Sequence, residues 1–351
     1  MINAIDSSCP LLTIAIPTYN RSHFLDKTLG ALLPQVEATS CQTNSLIRVL
    51  VVDNNSQDDT IDVIKNHMQY YAFLSYVQNN HNIGIDGNID RCVDLAESEF
   101  IHLLSDDDYV IPGLYARLIK LLITSSPDFV FLDPARDTCR NESVLELEKS
   151  KLISNQDKVS TDFKQISFEG LIKCAGIWMS FISSFVVRKE SWQKVITRKK
   201  YLGTDIYLSY VAIEMLSKSN SIFISTAPYI IVNDHYSGSY NIMKAFLYNW
   251  LPLVSSLGKY NISNSTINFL ERQVIASYLP NYILLAEKNG QLSTPRRIKG
   301  VTFLLQYPHR GSLRAIARLS GLEKLMIDCL TYQHRIKKVL RLLVSRLNRR
   351  L

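Results

Sequence analysis

The stretch Glu99-Phe-Ile-His-Leu-Leu-Ser-Asp-Asp-Asp-Tyr-Val-Ile-Pro-Gly113 decides how this 351-residue chain is read. Phe100 to Leu104 is short and mostly apolar, the pattern of a buried strand. After Ser105 come three consecutive carboxylates, Asp106 to Asp108. Pro112 suits the first turn of a helix, and Leu114 to Ile123 carry helical apolar spacing. The acids are therefore expected between a strand and a helix, where open α/β sheets bind ligands. Three adjacent anions repel one another unless a cation neutralises them. Hard oxygen donors in a short loop suit Mg²⁺ or Mn²⁺ bridging a substrate's phosphates. A solvated acidic turn capping a helix is the plain alternative, and the flanking chain chooses between the two.

Upstream, the same unit repeats. Leu11 to Ile16 reads as a strand stopped by Pro17, with a helix through Phe24, Leu25, Leu29, Leu32 and Leu33. Leu46 to Val52 is a second strand, ending in Asp53-Asn54, before a helix through Ile61, Ile64, His67 and Met68. Phe73 to Val77 and Phe129 to Leu132 add strands, and Ile89 to Leu95 a helix. Alternation at this period implies βαβ crossovers and a mostly parallel sheet flanked by helices. Thr18, Asn20, Asp53, Asn54 and Asp106 to Asp108 all follow strand C-termini, which favours a site over a simple cap. Downstream, Pro134 to Gln165 reads as a long polar loop, Phe168 to Cys174 as helix, Phe181 to Val187 as strand and Arg188 to Ile196 as helix. Thr204 to Leu216 has helical spacing, with Thr204 as N-cap and Asp205 in the first turn. Short strands at Ser221 to Ile224 and Tyr229 to Val232 lead to Asp234 and His235, and beyond Tyr240 nearly everything reads as helix.

A hydrophobic content of 46% allows a sizeable core. The six cysteines are scattered with no zinc spacing, as expected for thiols in a reducing compartment. Met1 to Pro10 lacks a basic n-region, and no apolar run reaches the length of a spanning helix. The expected location is cytoplasmic. The net charge of +7 is uneven: fourteen Lys and Arg stand against Glu323 and Asp328 from Arg296 onward, which leaves residues 1 to 295 at −5. Arg335 to Leu351 alternates basic residues with Leu and Val at helical spacing, the pattern of a helix lying in an anionic membrane interface.

Together, Ile14-Ala-Ile-Pro-Thr-Tyr-Asn-Arg21, Val51-Val-Asp-Asn-Asn-Ser56, Asn82-Ile-Gly-Ile-Asp-Gly-Asn88 and Ser105-Asp-Asp-Asp108 resemble family 2 glycosyltransferases of the GT-A (Rossmann-like) fold, over roughly the first 125 residues. The third motif and the Phe181 to Trp192 segment are most similar to bacterial O-antigen and capsule transferases of the abequosyltransferase type. The resemblance implies a GT-A domain over 1–240, with a nucleotide-sugar half at 1–125 and an acceptor half at 126–240. A helical, basic region at 241–351 follows. It also implies a nucleotide-sugar donor, held by Pro17, Thr18, Tyr19, Asn20, Asp53, Asn54, Gly84, Asn88 and Asp106. Asp53 would accept from a base or ribose, Gly84 would let the backbone approach the donor, and Asn88 would meet a sugar hydroxyl. Asp107 and Asp108 would hold Mg²⁺ or Mn²⁺ on the diphosphate, with His235 as a late metal or phosphate contact.

Two positions depart from the family pattern: Ser105 stands where an Asp is frequent, and Gly87 where a basic residue is. Arg91 or the metal would then compensate the diphosphate. An inverting transfer needs a carboxylate to take the acceptor's proton. Asp205 matches by position, and Asp234 is its rival. Trp178, Tyr201, Tyr207 and Tyr210 are candidates for an acceptor wall, whereas Trp192 reads as core. The expected acceptor is a lipid-linked saccharide of a surface polysaccharide, reached by peripheral contact of the basic C-terminal helix with the inner face of the cell membrane. A sugar nucleotidyltransferase would carry a Gly-rich basic loop after the first strand, and Pro17-Thr-Tyr-Asn-Arg21 is not one. A nucleic-acid-binding role is not expected, because the basic charge is confined to the tail while the cleft is acidic.

Overall fold

The computed structural model describes residues 10–43, 46–134, 162–233 and 243–279 and the single positions 241, 283 and 290. Asp234, His235, most of the polar segment (135–161) and the basic stretch Arg335 to Leu351 lie outside these residues. The chain divides into two compact units, Met1–Ser237 and Gly238–Leu351.

In the first unit, strands β1 (Leu12–Thr18), β2 (Ile47–Asp53), β3 (Leu74–Gln78) and β4 (Phe100–Leu103) alternate with helices α1 (Ser22–Thr43), α2 (Thr60–Met68) and α3 (Gly84–Leu95). A short β5 (Tyr109–Val110) and α4 (Leu114–Ser125) follow, then β6 (Phe129–Phe131), β7 (Phe163–Gln165) and α5 (Phe168–Ala175). Beyond them lie β8 (Phe185–Arg188), α6 (Lys189–Gln193), α7 (Tyr207–Leu216), β9 (Ile222–Ser225) and β10 (Ile230–Ile231). The main sheet runs β3-β2-β1-β4-β8-β6-β9-β7, and β10 pairs with β5 in a two-stranded ribbon. Pairings among β1 to β4 and between β6 and β9 are parallel, whereas β8 and β7 run antiparallel to their neighbours.

One face of β1 and β2 presents Leu12, Ile14, Ile16, Ile47, Val49 and Val51 to Leu25, Leu29 and Leu32 of α1 and Leu114, Leu118 and Leu122 of α4. Each such side chain contributes roughly 1.5–3 kcal/mol when fully buried. Side chains alternate along a strand, so α3, which contacts β1, β2 and β4, covers the opposite face.

Several boundaries differ from the sequence expectation. β1 runs through Pro17 to Thr18. The Ala15 carbonyl accepts from Leu104 on the β4 side, and the Thr18 carbonyl accepts from Asn54 on the β2 side. Pro17 shares the orientation of Ala15, so its missing N–H faces the side where β4 has already ended. α3 begins at Gly84, five residues before the expected start at Ile89, because the Asn82 side chain accepts from the Gly84 N–H at 2.8 Å. Part of the polar segment forms the edge strand β7. The Phe181 to Val187 run begins with a 3₁₀ turn, Ile182–Ser184, before β8.

In the second unit, a π-helical stretch, Met243–Trp250, passes into α8 (Leu251–Ser255) and a 3₁₀ turn, Ser256–Tyr260. There follow α9 (Asn264–Gln273), capped by the Ser263 hydroxyl, and a second π turn, Val274–Tyr278. No described helix is long and apolar enough to cross a membrane.

Candidate active site

The ends of β1, β2 and β4 lie side by side, and their polar residues form one connected edge. From β1, the Thr18 hydroxyl donates to Asp106 Oδ2 at 2.6 Å, and the Thr18 carbonyl accepts from the Asn54 N–H at 2.9 Å. Tyr19 is exposed, while Asn20, at φ 52°, ties the β1 turn to the β2 turn. Its N–H donates to Ser56 Oγ at 2.8 Å, and its Oδ1 accepts from the Gln57 N–H at 2.7 Å. Asn tolerates this left-handed backbone better than other non-glycine residues.

Asp53 and Asn54 end β2. Asp53 is fully buried, and its carboxylate accepts from the N–H and hydroxyl of Ser56. The Asn54 amide donates to Asn82 Oδ1 at 2.8 Å and to the Gly84 carbonyl at 3.3 Å, and its Oδ1 accepts from Asn79 and from the Ile83 N–H. Gly84 has φ 78°, which favours glycine, and a Cβ there would meet open space. Asn88 accepts from Asn79 and donates to the Val52 carbonyl, each at 2.9 Å. Asn88 and Asp53, both expected to contact the donor, are buried here with their side-chain polar atoms bonded within the protein. Their hydrogen bonds tie the loops after β2 and before α3 to the strand end.

The acidic turn follows β4. All three carboxylates are buried, and every oxygen has a protein partner. Arg21, at the start of α1, ion-pairs with Asp106 through Nε at 3.4 Å and with Asp107 through Nη2. Ser105 donates to Asp107, Ser183 donates to Asp108, and the Asn233 N–H reaches Asp108 Oδ1 at 3.0 Å. Burial pushes the Asp106 carboxyl up to about 7, with Arg21 opposing and Asp107 adding to the shift. Burial and the Asp107 charge also raise Asp108. Three carboxyls share the one Arg21 guanidinium, and burial with mutual repulsion favours their neutral forms, so full ionisation of the turn needs a further cation. Arg91 is exposed on α3, so the cation beside the acids is Arg21.

Asp205 lies outside this cluster of strand ends. The helix it was expected to open starts two residues later, at Tyr207, and Asp205 sits before it at φ 62°, half-buried. Thr204 does not cap the helix N-terminus. Instead, the Asp205 N–H donates to Asp86 Oδ2 of α3 at 2.9 Å. Tyr201 and Tyr210 stack on each other at 4.6 Å, and Trp192 is buried against Tyr207. His235 lies outside the described residues.

Sequence reasoning missed Arg21, Asp86 and Ser183. Arg21 and Asp86 stand inside the quoted motifs. Asp86 is four residues before Asp90, an offset that places both on one helix face.

Residues 13–182 match the family model for Glycosyl transferase family 2. Abequosyltransferase RfbV of Salmonella typhimurium is 24% identical over 338 residues, an alignment covering 86% of this chain and 99% of that protein. The GalNAc(5)-diNAcBac-PP-undecaprenol beta-1,3-glucosyltransferase of Campylobacter jejuni is 30% identical over 112 residues, which cover 32% of this chain and 34% of the relative. Among solved structures, S. aureus TarS 1–349 in complex with UDP aligns with a TM-score of 0.56 at 13% identity, covering 91% of each chain. Residues 13–182 thus carry a domain that matches glycosyl transferase family 2, on a sheet with the GT-A fold of the solved transferase.

Proposed function

We propose that the chain transfers one sugar, with inversion, from a nucleotide-diphosphate donor to a lipid-linked intermediate of a surface polysaccharide. The observation that carries this reading is the joined edge of Thr18, Asn54 and Asp106 to Asp108 with Arg21, an acidic turn at the C-terminal ends of parallel strands. The family match and the UDP complex of TarS support a nucleotide sugar as donor. The undecaprenol-linked substrate in the name of the Campylobacter relative supports a lipid carrier.

Among the described residues no three acids, histidines or cysteines converge as a complete ligand set. Mg²⁺ and Mn²⁺ do not need one, since one or two carboxylates plus substrate phosphates suffice. A bound cation would favour the ionised forms of these raised carboxyls, and Asp107 and Asp108 would be its protein ligands. When bound, the ion supplies Lewis-acid neutralisation of the diphosphate. The protein's own part follows from its residues. The Thr18 to Asn20 turn and the Asn54–Gly84 contact shape the donor cradle. Arg21 places positive charge where the leaving diphosphate gains negative charge. Asp205 takes the proton of the acceptor hydroxyl as its oxygen bonds to the anomeric carbon and the bond to the diphosphate oxygen breaks. The basic stretch Arg335 to Leu351 brings the enzyme to the inner face of the membrane.

The test is binding and hydrolysis of UDP-, GDP-, CDP- and dTDP-sugars with Mg²⁺, Mn²⁺ or EDTA. One donor is expected to bind only with metal. Asp107→Ala should lose that binding, and Asp205→Asn should keep it while turnover drops by roughly 10²–10⁴. A chain that binds no nucleotide sugar with either ion sinks the proposal.

A further inference from the structure

We propose that Asp86 is a positioning residue for the transfer: from the first turn of α3, its buried carboxylate holds the turn that presents Asp205. This rests on the reading of Asp205 as the base. The two residues are 119 apart in sequence, yet the Asp205 N–H donates to Asp86 Oδ2 at 2.9 Å. The N–H groups of Tyr207 and Thr204 also favour the charged form of Asp86, against burial and the Asp205 charge, which raise its carboxyl. Gly203 at φ 81° and Asp205 at φ 62° are both left-handed, so the turn has an unusual backbone that needs an external partner.

α3 also touches the donor edge. The carbonyl of Gly84, its first residue, accepts from Asn54, whose own N–H donates to Thr18. One helix end therefore fixes the donor loop and the Asp205 turn against each other. The rest of the segment is held separately. Asp90 accepts from Arg198 Nε at 2.8 Å, from Lys199 and from the Tyr207 hydroxyl, and Asp94 accepts from Arg198 Nη2 at 2.8 Å. Loss of Asp86 should leave residues 198–207 attached while Asp205 loses its aim.

The experiment measures hydrolysis of the four classes of nucleotide sugar by wild type, Asp86→Ala, Asp86→Asn and Asp205→Asn, with hydrogen exchange of the amides at 203–207. Asp86→Ala should lower kcat by about 10- to 100-fold, the cost of a misplaced catalytic group. KM for the donor should stay within about twofold. Asp86→Asn, whose carbonyl still accepts the Asp205 N–H, should recover part of the rate, and exchange should quicken at 203–207 but not in β1 to β4. If Asp86→Ala fails to fold, Asp86→Asn decides by the same split. Wild-type turnover in both Asp86 variants beside an inactive Asp205→Asn overturns this inference and leaves the base assignment standing. A change confined to KM overturns it too. An active Asp205→Asn, or a wild type that hydrolyses none of the donors, removes both readings.

Discussion

His102 stands in the middle of β4 with no exposed surface, between Tyr115 and the carbonyl of Ser183. The carbonyl can only accept, so Nε2 carries the proton and Nδ1 accepts from the Tyr115 hydroxyl. Burial lowers its pKa from 6.5 to about 4, although the Ser183 contact works the other way. As pH falls, the unfolded chain takes up this proton first. The contribution is intact above about pH 6.5 and is lost progressively down to about pH 4, by about 3 kcal/mol in all. Asp106 and Asp108 titrate with the opposite sign, so the informative quantity is the difference between wild type and His102→Gln in urea unfolding. That difference should shift in favour of the variant as pH drops from 7 to 5. A difference that stays constant over this interval would show that the imidazole does not titrate as its burial requires.

At the scale of elements, α3 joins the Asn54 loop to the segment 198–207, and the residues that hold the two together differ in strength. Asp90 is buried and holds Arg198, Lys199 and Tyr207, so Asp90→Ala strands their polar groups and should cost about 3 kcal/mol. Lys199 is more than half exposed, and Lys199→Ala should cost under about 1 kcal/mol. Equal costs in chemical denaturation would contradict this ranking. Gly84→Ala meets no neighbour, and only its left-handed backbone objects, at about 1–2 kcal/mol. The start of α3 was missed in the sequence because Gly84-Ile-Asp-Gly87 is a poor helix former by propensity. The helix begins there because Asn82 and Asn54 receive its first turn.

At the scale of the whole molecule, the acidic turn and the Asp205 turn both belong to Met1–Ser237, whereas the basic excess lies beyond it. A chain ending at Ser237 should bind the donor within about threefold of the full chain, as a domain with its own core would. Only the full chain should sediment with vesicles rich in anionic lipid, and salt should release it. Vesicle binding by the shortened chain would move the membrane contact into the first unit. The sequence by itself determined the alternation of strands and helices, the edge where the polar residues collect, and the family, because period and strand-end chemistry are local. Only the tertiary structure decided that Arg21 is the cation beside the acids, that Asp53 and Asn88 are turned into the protein, and that Asp86 holds the Asp205 turn. Those contacts join residues 36 to 119 positions apart, or fix a side chain's rotamer, and a pattern of neighbours along the chain contains neither.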